Sequence, residues 1–224
     1  MKQLKLTLLL IALLTILPSC NDSDGNSEKI YGTIVTYKGF HNNHSYFEFQ
    51  QLNDSPVVTL YSTTMLSGDG AVEGKRMYIT YTQGDRPYGQ SGEITLRGLQ
   101  GVYESKVETA PAADASVMTP INLQAMVRTG TWINFQANEY AIQNRAFTLK
   151  ADQATVDTAM PVLYMSTTAQ DDPSAYMATY LGSFDISSIW NNPTVEGVEI
   201  HVENSFNPNN KVITFKKTDS SVIK

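Results

Sequence analysis

The chain has 224 residues, 42% hydrophobic and 17% charged, with 16 Lys and Arg against 22 Asp and Glu for a formal net charge of −6. An acidic chain with a pI near 5.0 lacks the clustered basic residues that nucleic-acid binding requires, so no nucleic-acid partner is expected. Its single cysteine, Cys20, lies close to the N-terminus. Everything after it is therefore without disulfides, thiol catalysis or cysteine-ligated metal.

Lys2 and Lys5 precede an uncharged run of Leu, Ile, Ala and Thr from Leu6 to Leu17. These are the basic and apolar regions of a signal peptide, read over residues 1–19. A helix of that length rises about 18 Å at ~1.5 Å per residue, short of the ~30 Å hydrocarbon core. Leu17, Pro18, Ser19 and Cys20 follow, and the pattern resembles the lipobox of bacterial lipoproteins, with Pro18 its unusual residue. The resemblance implies that Cys20 becomes the first mature residue. Its thiol would be joined to a diacylglycerol and its amino group acylated, as with palmitate, which makes the membrane its partner. Several acyl chains, at ~0.8 kcal/mol per buried CH₂, anchor stably where one does not. Within the segment 20–28, Asn21 to Ser27 is polar and acidic with nothing to bury, a flexible tether. Asp22 and Asp24 resemble a signal that sends lipoproteins of some Gram-negative anaerobes to the outer face of the outer membrane; an ordinary solvated linker reads equally well. The expected location is the outer membrane of a Gram-negative bacterium, with cell-surface and periplasmic facing both open.

Between residues 29 and 108 five β-rich segments follow one another, beginning near Ile30, Ser45, Val57, Lys75 and Glu93, with Gly, Asn and Asp at the breaks. Five strands in so short a stretch predict a small closed barrel of the OB type. Proline and alanine from Thr109 to Ser116 read as a linker. From 117 to 224 about seven further strands, the clearest alternating from Val198 to Val202 around Glu199 and His201, predict a β-sandwich. The fold class is thus all-β, a small OB-like barrel followed by a β-sandwich. Only Phe184 to Asn192 reads as helical, with Asp185 or Ser187 as cap and Ile189 and Trp190 buried.

Candidate chemistry is sparse. His41 and His44 flank Asn42 and Asn43, which favour a hairpin turn, and zinc would need further ligands. Asp171 and Asp172 are the strongest paired carboxylates, but Asp-Asp-Pro-Ser is turn chemistry and lacks the ordered oxygens of a calcium loop. Asp69 and Glu73 among glycines read the same way. No G-x-S-x-G elbow accompanies the only mature histidines, His41, His44 and His201. No residue is assigned a catalytic, cofactor-binding or metal-binding role, and no cofactor is expected. The positive hint is aromatic: Tyr31, Tyr37, Phe40, Tyr46, Phe47, Phe49, Tyr61, Tyr78, Tyr81 and Tyr88 crowd the first domain. Such rings are strand-core residues or stacking platforms for sugars and bases. Seven Lys or Arg against eight Asp or Glu from Lys29 to Glu108 argue against bases. Asp157, Thr158 and Ala159 resemble the sequon that some Gram-negative anaerobes O-glycosylate, at Thr158.

Trp132 with Asn134 in a strand, the Ser183 to Ser187 segment, the Lys211 to Lys217 closing strand, and Gly74 to Tyr81 after a glycine turn together resemble the NigD-like lipoproteins. Relatives carry a histidine in the strand where this chain has Arg145 and Phe147, and an Arg-His pair where it has Tyr164 and Met165. The resemblance implies an OB-like domain before a β-sandwich, a place in the bacterial envelope, and an association with bacteriocin immunity, but no reaction. The expectation is a non-enzymatic binding or accessory module with an envelope protein or a glycan as partner, engaged through loops near Tyr88 or Asp171. The rival is a hydrolase or metal-dependent enzyme gathering His41, His44 or the Asp171 and Asp172 pair.

Overall fold

Strands form where apolar residues alternate with polar ones, because successive side chains point to opposite faces and only one face is dry. The computed structural model describes residues 28–142, 145–168 and 175–217. The signal peptide, Cys20, the tether to Ser27 and the Asp171 and Asp172 pair lie outside the described residues. The described residues are mostly β, in three sheets, and divide into two units. One takes those up to Gln51 and Pro56–Val102; the other takes Leu52–Ser55 and those from Tyr103 on.

The first unit holds β1 (Tyr31–His41), β2 (His44–Phe49), β3 (Val58–Ser62), β4 (Arg76–Thr82), β5 (Gly92–Glu93) and β6 (Thr95–Gly101). They form one sheet in the order β5-β3-β2-β1-β4-β6. Only the β3–β5 pair is parallel. Val35, Tyr37, Phe47, Leu60, Ile79 and Tyr81 form its core with Ile94. β1 and β2 meet through Asn42 and Asn43, whose φ values of 51° and 61° are both left-handed. The hairpin turn expected from the Asn-Asn pair is thus formed, and two left-handed residues make it of the I′ kind, since asparagine tolerates this region and its twist matches the strands. Among the described residues the pairings make one sheet and no closed barrel. Its two ends, β5 and β6, are separated in the chain by Ile94 alone.

The second unit adds β7 (Tyr103–Lys106), β8 (Glu108–Ala110), β9 (Leu123–Thr129), β10 (Trp132–Tyr140), β11 (Phe147–Asp152), β12 (Val162–Thr167), β13 (Met177–Asp185), β14 (Gly197–Val202) and β15 (Val212–Lys216). Two sheets, β7-β13-β10-β9 and β15-β14-β12-β11-β8, contribute to one core that includes Ile133, Phe135, Phe147, Leu163, Phe184 and Ile200. Two sheets over a common core make the sandwich expected from the seven strands. Both are mixed, with β7 parallel to β13, β8 to β11 and β12 to β14. Gly182 lies opposite Phe135, and a Cβ there would sit 2.3 Å from that ring. Glycine is required because the ring occupies the space.

The division differs from the boundary expected at residue 108. Tyr103–Lys106 continues the first unit's last strand in sequence but pairs with β13, and Glu108–Ala110 pairs with β11. The stretch that reads as a linker is therefore an edge strand and a helical turn, Ala112–Ala115, with Ala115 buried. Pro111 sits at the start of that turn, where a missing N–H costs nothing. Leu52–Ser55 also departs from its expected domain. Asn53 donates its N–H to the Arg128 carbonyl at 2.7 Å and accepts that of Gly130 at 2.6 Å, with a left-handed φ of 50°. The helical reading from Phe184 to Asn192 narrows: Phe184 and Asp185 end β13, Ser187–Trp190 is one turn burying Ile189 and Trp190, and the Asp185 carboxylate accepts the Ser187 N–H at 2.9 Å.

Candidate functional site

The first unit sorts its aromatic residues by strand face. Inward positions put Tyr37, Phe47, Phe49 and Tyr81 in the core. Tyr88, from the β4–β5 connection, is half-buried and stacks on Tyr31 at 5.5 Å and 26°, so it belongs to the packing rather than to a free loop. Outward positions carry a different set. His41 lies parallel to Tyr46, with centroids 4.0 Å apart and planes 6° from parallel. Tyr46 and Tyr61 are directly paired across β2 and β3, 5.8 Å apart. His44 meets Tyr61 edge-on at 5.3 Å and sets Nδ1 2.7 Å from the Asn42 carbonyl oxygen. The hairpin register thus assembles His41, His44, Tyr46 and Tyr61 into one aromatic run.

The next strand continues that face. Glu93 of β5 is the partner of Tyr61, and it lines a polar groove of about 250 Å³ at the ends of β3 and β4. Thr63, Thr64 and Thr95 supply hydroxyls there and Gln83 an amide. Gln83 is 8% exposed; its Nε2 donates to the Arg86 carbonyl at 2.6 Å, while its Oε1 has no hydrogen-bond partner. Arg86 donates through Nη2 to the Glu93 carbonyl oxygen, which ties the β4–β5 connection to the groove wall. The Thr82 hydroxyl, also in the lining, and the Arg97 guanidinium beside Glu28 hold its carboxyl below the usual carboxylate range. Burial pushes the Tyr81, Tyr88 and Tyr78 phenols up. The lining contains no Lys, Arg, His or Cys.

The other candidates are dispersed. His201 pairs with Glu199 at 2.6 Å on the outer face of β14. Glu73 is exposed near Gly39, and Asp69 lies in the short helical turn Gly68–Ala71. Among the described residues no three His, Cys, Asp or Glu side chains converge as a metal site. Thr158 is exposed, with its hydroxyl donating to the Thr155 carbonyl at 2.7 Å.

Three polar clusters escape sequence reading. Arg128 is 0% exposed; it forks onto Asp54 with Nη1–Oδ1 2.8 Å and Nη2–Oδ2 2.7 Å and lies 4.2 Å from the Trp190 ring centroid. Arg145 and Glu139 form a buried pair at 3.2 Å, with the Asn122 N–H on the other carboxylate oxygen at 2.8 Å. Asn134 bonds Thr129 at 2.8 Å and accepts the Ser183 hydroxyl at 2.6 Å. The last cluster had a signal, because Asn134 and Ser183 are both marks of the family resemblance. Their register partnership gives those marks a structural reason: a buried amide needs partners.

No family model matches the chain, and no curated protein does. Solved structures do. A protein of unknown function of the DUF1344 group from Bacteroides vulgatus is 12% identical, with a TM-score of 0.62 over 84% of this chain and 90% of that one. A Bacteroides fragilis protein provisionally assigned as a lipoprotein is 15% identical, with a TM-score of 0.59 over 86% of this chain and 100% of that one. A NigD-like immunity protein from Bacteroides caccae is 12% identical, with a TM-score of 0.53 over 86% and 94%. Across both units, this chain has the fold of the NigD-like and DUF1344 structures of Bacteroides.

Proposed function

We propose that this chain is a lipid-anchored module of the bacterial outer membrane that binds a partner rather than catalysing a reaction, and that its first unit carries the binding face. The observation that carries this reading is the outward aromatic run His41, His44, Tyr46 and Tyr61 beside a polar groove. Rings held on paired strands present flat apolar area at little entropic cost. The first unit reads further as an OB-like barrel. β5 and β6 end the strand order yet are one stretch of chain around Ile94, so the order returns on itself. OB barrels bind along strands two and three, the strands that bear Tyr46 and Tyr61 here; this is an argument by fold analogy.

The anchor at Cys20 is supported by the leader pattern and by the fold shared with the B. fragilis protein. Cys20→Ser is expected to abolish fatty-acid incorporation and membrane partitioning; retention of both would overturn the anchor. For the binding face, the mature chain is used as bait in native envelope extracts beside Tyr46→Ala/Tyr61→Ala. Specific capture by the wild type and its loss in the variant are expected, and equal capture by both would refute the assignment. The shared fold with a NigD-like immunity protein favours a second reading, bacteriocin immunity. Deleting the gene and exposing the strain to the toxin tests it, and unchanged sensitivity removes it.

A further inference from the structure

We infer that the aromatic run and the groove together hold a neutral saccharide; the inference rests on the binding reading above and names its ligand. A pyranose ring has one face of C–H groups, which packs on an aromatic plane, and a rim of hydroxyls that both donate and accept hydrogen bonds. The first unit offers both kinds of surface side by side. Tyr46 and Tyr61 are paired outward rings, and Glu93, the partner of Tyr61, is at once the next position on that face and part of the groove wall. A chain of two or three sugar units laid along Tyr46 and Tyr61 therefore brings its end to Glu93, Thr63 and Thr95, which are exposed.

The polar groups suit hydroxyls better than ions. The groove lining has one carboxylate and no cationic side chain, and Lys38, on β1, is already paired with Glu48 at 3.4 Å. A phosphate or sulfate would meet no Lys or Arg in the lining, the neighbouring Arg86 being turned onto the Glu93 carbonyl, whereas a saccharide hydroxyl can donate to Glu93 and exchange bonds with the threonines. A calcium ion takes six to eight oxygens with several carboxylates among them, and one carboxylate falls short. Gln83, in the same lining, is buried with an amide oxygen that has no hydrogen-bond partner within the chain, an acceptor suited to a saccharide hydroxyl.

The test screens the full mature chain against immobilised neutral oligosaccharides of four to six units (β-glucan, α-mannan and galactan fragments), with sulfated oligosaccharides and single-stranded DNA on the same array. Tyr61→Phe, Tyr61→Ala and Tyr46→Ala/Tyr61→Ala follow, each checked by near-ultraviolet circular dichroism for an intact fold. At least one neutral class is expected to bind, with Tyr61→Phe within twofold of the wild type, Tyr61→Ala at least tenfold weaker and the double variant without signal. Binding confined to the anionic probes, or unaltered by the double variant, would overturn the inference. Silence on every saccharide alongside specific capture of an envelope protein would overturn the saccharide and leave the binding reading standing. Silence in both assays would remove both.

Discussion

Replacing Asp54 with alanine would leave the Arg128 guanidinium charged, fully buried and without its counter-ion. Breaking a buried pair from one side costs about 3–5 kcal/mol, because the remaining charge stays uncompensated. Two features reduce that here. The Asp54 side chain is 46% exposed, so water enters where it stood, and Arg128 keeps the Gly130 carbonyl at 2.7 Å and the Trp190 ring. We expect Asp54→Ala to destabilise the second unit by about 2–3 kcal/mol, a fall in Tm of roughly 6–9 °C for a unit of this size. Arg128→Met removes the charge and fills the space beside Trp190, and Asp54 returns to water. Its cost is about 1 kcal/mol, mainly the orphaned Gly130 carbonyl. The double variant should match Arg128→Met within ~0.5 kcal/mol, since the two residues act as one pair. Both tryptophans, Trp132 and Trp190, belong to the second unit, so tryptophan emission during urea unfolding reports it directly. Arg128→Met proving costlier than Asp54→Ala would refute the reasoning, as would an Asp54→Ala shift below ~0.5 kcal/mol.

Gly182→Ala drives a methyl into the Phe135 ring, which also packs on Phe147 and Phe184 at 5.0 and 5.1 Å; a loss of about 1–3 kcal/mol by urea unfolding is expected, and a neutral result would show that the ring can move freely. The Tyr81 hydroxyl is buried without a partner, so Tyr81→Phe should be neutral or stabilising by up to ~1 kcal/mol at pH 7. Burial raises the Tyr81 phenol above its ordinary value of about 10. The unfolded chain therefore releases that proton above pH 10 while the folded chain keeps it, and stability falls there and not below. Urea midpoints between pH 8 and 11 should drop less in Tyr81→Phe than in the wild type, and identical profiles would contradict this. Mass spectrometry of the native protein should find a glycan on exposed Thr158, and an unmodified threonine would end that reading.

Period-two apolar patterning placed most strands, because burial of alternate side chains is a local property of a chain in a two-faced sheet. The Asn42–Asn43 pair likewise marked the hairpin, since left-handed turn residues are a matter of one or two side chains. The helical turn that buries Trp190 was readable for the same reason. Partnership was not local. Tyr103–Lys106 and Glu108–Ala110 follow a first-unit strand in sequence, and only their parallel pairing with β13 and β11 assigns them to the second unit. Asp54 and Arg128 are 74 residues apart, and nothing in "LNDS" or "MVRT" marks them as partners; burying a charge is tolerable only where the fold delivers its counter-charge. Likewise the ten clustered aromatic residues of the first domain were visible as a group. Which of them face water was fixed by register, where a shift of one residue would exchange Tyr46 for Phe47 and turn the outward face into a core.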